Sequence, residues 1–175
     1  DLINDSDIVV MSAYTFMRPE SHKFATDVLE CVTKSDARMV IDAASSSPIE
    51  KTGSEKVRNY LSQADLVLAN EDEFAALAVG APENWTGDFK NLIIKRGERG
   101  ALWLYQGQEV ATVEAERVSV VDTTGAGDAF CAGLLSQLRT RPDWNNLGLV
   151  DYAQALFAAA HTAGENCKSL GAMPN

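Results

Sequence analysis

The sequence predicts an α/β fold built on a mostly parallel sheet covered by helices on both faces. Apolar runs of strand length alternate with stretches of helical periodicity, and a late glycine-containing turn passes from an apolar run into an apolar helix. The segment Tyr105-Gln106-Gly107-Gln108 reads as a hairpin turn, so antiparallel strands are expected late in the sheet.

The first apolar run is Ile8 to Ser12, followed from Glu20 to Lys34 by Phe24, Val28, Leu29 and Val32 at helical spacing. Met39 to Asp42 is the second, followed by a Ser/Pro-rich loop and a helix from Ser54 to Gln63. Leu66 to Ala69 is the third, and the helix Glu71 to Val79 after it should stop near Gly80 and Pro82. Strands Leu92 to Lys95 and Ala101 to Tyr105 flank a turn containing Gly97 and Gly100, and Glu109 to Glu114 completes the hairpin. Two helices close the chain, from about Ala126 to Arg139 and from about Leu149 to Gly164, with Pro142 marking the break between them. In such sheets ligands bind beyond the carboxyl ends of the strands, so residues just after each apolar run are the first candidates for chemistry.

At 175 residues and 46% hydrophobic composition, the chain is expected to bury one core and form one domain, residues 1–175. Fifteen Lys plus Arg against twenty-five Asp plus Glu give a net charge of −10, which argues against nucleic acid and anionic membranes as partners. Cys31, Cys131 and Cys167 are far apart and form no C-x-x-C pair, so neither a disulfide framework nor a zinc site is suggested. No run approaches the roughly 20 apolar residues needed to cross a bilayer, and the start lacks a signal-peptide pattern; a cytoplasmic location is expected.

The segment Val120-Val121-Asp122-Thr123-Thr124-Gly125-Ala126-Gly127-Asp128-Ala129-Phe130 carries the chemistry. Gly125 and Gly127 let the backbone turn tightly and approach a ligand, while the first amides of the following helix stay unpaired and can cradle phosphate oxygens. Asp128 lies just inside the helix N-terminus, where the dipole favours its ionised form and a carboxylate can accept a hydroxyl proton. Asp in a first helical turn also commonly serves as a cap. Asn70-Glu71-Asp72-Glu73 opens a helix directly after a strand and has the spacing of a capping box. Lys95-Arg96-Gly97-Glu98-Arg99-Gly100 reads as a charged β-turn whose glycines admit a ligand. His161 shows no acid or metal partner in the sequence, so a general-acid role is not assigned to it.

The run Asp122 to Phe130 resembles the C-terminal signature of PfkB-family kinases, and the resemblance implies a ribokinase-like, Rossmann-type three-layer sandwich. It implies that Gly125, Ala126 and Gly127 form an anion hole, that Asp128 is the catalytic base, and that Thr123 contacts the nucleotide. Asp122 and Thr124 match positions that in several members hold a monovalent cation such as K⁺. Asn70 and Glu73 resemble the family's N-x-x-E motif, in which Glu73 orients Mg²⁺ through water and Asn70 lies near the phosphates. Lys95, Gly97 and Gly100 resemble a K-x-G-x-x-G stretch around ATP. Gly171-Ala172 resembles the family's closing G-A element, although Glu165 to Ser169 is polar where many members are Val- and Thr-rich.

The resemblance covers the C-terminal half or so of a typical member, so the N-terminal part and its β lid are read as missing and the isolated chain as inactive. It implies an ATP-dependent, Mg²⁺-requiring kinase acting on an alcohol group of a small molecule, a sugar or sugar acid first and a nucleoside second. A homodimer or the missing half is the expected macromolecular partner. The alternatives are a nucleotide-binding regulatory module without catalysis and a dinucleotide-binding Rossmann domain. The latter is weakened because no G-x-G-x-x-G follows the first strand.

Overall fold

The computed structural model describes residues 3, 8–141 and 143–172. Pro142, expected as the break between the last two helices, lies outside the described residues, as do all of the first seven except Ile3. The elements are β1 (Ile8–Ser12), α1 (Tyr14–Met17), α2 (Pro19–Thr33), β2 (Arg38–Asp42), α3 (Ser46–Thr52), α4 (Ser54–Leu61), β3 (Leu66–Asn70), α5 (Glu71–Ala78), β4 (Asn91–Lys95), β5 (Ala101–Tyr105), β6 (Gln108–Val113), α6 (Ala126–Leu138) and α7 (Leu149–Asn166).

The six strands form one sheet in the order β1-β2-β3-β4-β5-β6. β1 and β2 run parallel with Val10 opposite Val40, and β2 and β3 run parallel with Ile41 opposite Val67. The mostly parallel sheet with late antiparallel strands follows from connection lengths. Helices join the early strands, whereas β5 passes to β6 through Gln106 at φ 49 and Gly107 at φ 79, the pair of positive values that a two-residue hairpin turn requires. Residues along β2, β3 and β4 are buried almost without interruption, as strands covered on both faces must be.

The Ser/Pro-rich stretch expected as a loop folds instead, as α3. Pro48 is its third residue, where the amide has no intrahelical acceptor to lose, and the fully buried Ile49 anchors the turn. Gly53, at φ 97, separates α3 from α4. The last helix runs two residues beyond its expected end, to Asn166.

Two compact units can be distinguished, Asp1–Ile94 with Leu104–Gln108, and Lys95–Trp103 with Glu109–Asn175. In the first, Ile41, Leu66, Leu68, Leu77, Leu92 and Ile93 are buried, and Trp85 packs edge-on against Phe89. In the second, α6 and α7 pack together, Trp103 meets the edge of Tyr152 at 4.9 Å, and the indole of buried Trp144 donates to the Leu138 carbonyl. Gly133 permits that helix contact, because a Cβ there would fall 2.7 Å from the Ala158 carbonyl.

At the carboxyl end of β2, Ala44 adopts φ 75, with its amide donating to Asp42 Oδ1 at 2.9 Å and the Ser45 amide reaching back to the Ala43 carbonyl. Positive φ is costly for a residue with a Cβ. Ala44→Gly is therefore expected to stabilise the protein by about 1 kcal/mol, net of glycine's extra chain entropy, read as a shift in the urea midpoint.

Candidate functional site

The segment between β6 and α6 is shaped by one carboxylate. Asp122 Oδ1 accepts from the Thr124 amide at 2.9 Å and from the Thr124 hydroxyl at 2.8 Å, and Oδ2 accepts from the Gly171 amide at 3.0 Å. The Thr124 amide foremost, then Gly171 and the Thr124 hydroxyl, hold this carboxyl below the usual aspartate value, because each bond favours the charged form. The backbone is tied down as well, since the Cys167 carbonyl accepts from the amides of Val121 at 2.8 Å and Asp122 at 3.3 Å.

Gly125 precedes the first residue of α6 at φ 79, a conformation favouring glycine, and a Cβ there would lie within 2.8–2.9 Å of Ala172. The helix then starts abruptly. Its Ala126 amide turns back to the Thr123 carbonyl at 3.1 Å and Ala129 bonds the Gly125 carbonyl at 2.9 Å, leaving the amides of Gly127 and Asp128 without an intrahelical acceptor. Lys95, at the end of β4, brings its ammonium to 3.6 Å from where a Gly127 Cβ would stand. A helix N-terminus, a left-handed glycine before it and a lysine beside it concentrate positive potential locally in a chain of net charge −10, an arrangement that could hold an anion.

The Asp128 side chain is exposed in the first turn of α6 and receives no hydrogen bond among the described residues, so it does not act there as a cap. Gly97 and Gly100 lie in the turn after Lys95, which closes through the bond from the Arg96 amide to the Gly100 carbonyl at 2.8 Å. Gly100, at φ 81, has an internal reason to be glycine: a Cβ would fall 1.9 Å from the Val113 carbonyl. Thus the structure brings Lys95, Asp122, Thr123, Thr124, Gly125, Ala126, Gly127 and Asp128 into one unit.

Asn70 and Glu73 belong to the other unit, where they form a complete capping box at the start of α5. Glu73 Oε2 accepts from the Asn70 amide at 2.7 Å, Oε1 accepts from Asn70 Nδ2 at 2.8 Å, and Asn70 Oδ1 accepts from the Glu73 amide at 2.9 Å. Glu73 is buried, and both of its carboxylate oxygens take part in the box.

Two features escape the sequence reading. His161 does have an acidic neighbour, Glu116, whose Oε2 stands 3.0 Å from Nδ1; forty-five residues of separation hid the pair. Asn166, at the end of α7, is buried and donates through Nδ2 to the Thr124 carbonyl at 2.9 Å. The signal for it in the sequence was the polar stretch Glu165 to Ser169.

The fold is α/β, and its glycine loop ends at the exposed N-terminus of a helix. The description "pfkB family carbohydrate kinase" matches residues 1–175, and the chain belongs to that family. It is 30% identical over 103 residues to a fructokinase of Vibrio alginolyticus, covering 55% of this chain and 33% of that protein. It is 38% identical over 84 residues to a deoxyribokinase of Salmonella typhi, covering 41% and 27%. Among solved structures, the fructokinase from Vibrio cholerae O395, bound to fructose, ADP and a calcium ion, superposes with a TM-score of 0.79 at 23% identity, covering 96% of this chain and 56% of that one. The chain thus spans about a quarter to a third of the length of these curated relatives and about half of the solved one. Among the described residues, no helix is long and apolar enough to cross a membrane.

The Asp122 bonds carry a pH dependence. A carboxyl whose folded value is depressed contributes stability that is fully present above its unfolded value and is lost as pH falls through the folded one. Asp122→Asn should therefore be less stable than the unmodified protein at pH 7, and the gap should close as pH drops below the ordinary aspartate value of 3.8, as measured by urea unfolding across pH.

Proposed function

We propose that this chain is the nucleotide-binding and catalytic part of an ATP-dependent phosphotransferase that moves the γ-phosphate to an alcohol group of a sugar or sugar acid. The observation that supports this most is the turn 122–128, where a braced anion loop, a lysine and an unbonded carboxylate share one helix start. Sugar kinases among the relatives at 30% identity or more support a sugar acceptor.

In this reading the amides of Gly125 and Gly127 take the oxygens of the γ-phosphoryl group, with Lys95 adding positive charge and Thr123, Gly97 and Gly100 contacting the nucleotide; Ala126, expected as the third donor of the anion hole, instead gives its amide to the Thr123 carbonyl and closes the turn. Asp128 accepts the proton of the acceptor hydroxyl as its oxygen bonds to phosphorus and the bond from phosphorus to the ADP oxygen breaks. Preorganised amides stabilise the charge that gathers on the transferring oxygens, at no reorganisation cost during the step.

Mg²⁺ supplies charge neutralisation on the phosphates when bound. Glu73 suits a role through water rather than as a direct ligand, because its two oxygens already close the capping box. Asp122 and the Thr124 carbonyl are oxygen donors with one lone pair or more still available, which fits a monovalent cation sharing them. The acceptor-recognition contacts and the lid belong, in this reading, to the part of the family's length that this chain does not span.

In a version of the protein spanning the full length of its relatives, Asp128→Asn should retain ADP affinity within about twofold while turnover with ATP, Mg²⁺ and a sugar panel falls about 10²–10⁴-fold. Retention of most of the kcat would remove Asp128 from the role of base. The same assay in excess chelator should show no turnover; full activity there would eliminate the metal requirement and the part given to Glu73.

A further inference from the structure

We infer that Asn166 is a positioning residue, whose side-chain amide locks the peptide between Thr124 and Gly125 so that the Gly125 N–H faces the anion; the inference rests on the reading of this loop as a phosphate cradle. Asn166 is 3% exposed, and its Nδ2 donates to the Thr124 carbonyl at 2.9 Å. A carbonyl can only accept, so the amide nitrogen must face it, which strands Oδ1 as a buried acceptor without a partner among the described residues. An unmet buried acceptor is costly. A leucine of similar volume would pack without that cost, so the value of an amide here lies in its bond to the loop.

Peptide planarity converts that bond into an orientation. In a trans peptide the C=O of one residue and the N–H of the next point in opposite directions. Holding the Thr124 carbonyl toward Asn166 therefore turns the Gly125 N–H away from the end of α7, and no described residue accepts from it. Gly125 is the position at which such a peptide would otherwise rotate most easily, since glycine tolerates either sign of φ. The bonds at Asp122 do not substitute for this one, because they fix the Thr124 amide and hydroxyl on the preceding peptide and side chain.

The test compares the unmodified chain with Asn166→Leu and Asn166→Asp by amide NMR, hydrogen exchange and ADP titration. Asn166→Leu should shift the Thr124 and Gly125 resonances and speed exchange across 123–127 by about tenfold, the scale of one lost buried hydrogen bond, while amides in the body of α6 and α7 keep their protection. ADP should bind about tenfold more weakly. The Asn166→Asp carboxyl can donate to the Thr124 carbonyl only when protonated, so loop protection and ADP affinity should recover as pH falls through its titration. The unmodified chain, titrated alongside, accounts for Asp122, Glu165 and Lys168.

Unchanged 123–127 amides in both variants, loss of protection spread evenly over α6 and α7, or an Asn166→Asp loop indifferent to pH would each overturn the inference. If Asn166→Leu does not fold, Asn166→Ala takes its place in the same amide NMR and exchange measurements, with the same outcomes deciding. If the unmodified chain binds no ADP, the nucleotide reading fails, and the Gly125 resonance and exchange still decide whether Asn166 locks the peptide.

Discussion

The Asp122 carboxylate is the constraint on which the shape of the loop 122–128 depends. Three donors converge on it, two from Thr124 and one from Gly171, so a single side chain ties the start of the loop to a segment almost fifty residues later. Ionisation strengthens these bonds, and the bonds in turn favour ionisation. An acidic chain cannot rely on diffuse positive charge to hold an anion. In the proposed function backbone dipoles do this instead, and they are useful only if the backbone carrying them is fixed.

The fixing elements come from opposite ends of the second unit. Lys95 comes from the end of β4, the loop follows β6, and the residues from Asn166 to Ala172 close against it. The C-terminal segment thus contributes to the loop a side-chain donor, a backbone donor, the Cys167 carbonyl and a steric wall. Of the polar side chains in 165–169, Asn166 reaches the loop, whereas Lys168 pairs with Glu165 and Ser169 bonds the Asn166 carbonyl.

The strands and long helices were legible in the sequence because their periodicities are driven by burial, as in β2, β3 and β4. The loop was legible because Gly125 and Asp128 occupy positions whose chemistry depends on local backbone geometry. α3 was not, since serine and proline read as breakers when their place in a first helical turn is unknown. Asn166 and the His161–Glu116 pair were hidden for a different reason. Their partners lie forty-two and forty-five residues away, and no periodicity reports a contact at that range. Gly100 shows the opposite limit: the sequence marks it as a glycine that admits a ligand, and the structure supplies a close backbone neighbour, Val113, that demands the same residue.

The contact between Gly125 and Ala172 links two positions that are distant in the chain. Because a Cβ at 125 would lie within 2.8–2.9 Å of the Cα, Cβ and carbonyl oxygen of residue 172, position 125 cannot grow unless the backbone at 172 moves. The two positions are therefore energetically coupled, and substitutions at them will not be additive. A displacement of the backbone at 172 is thus felt at the turn before α6, and one that moved it away would open room at 125 for a side chain.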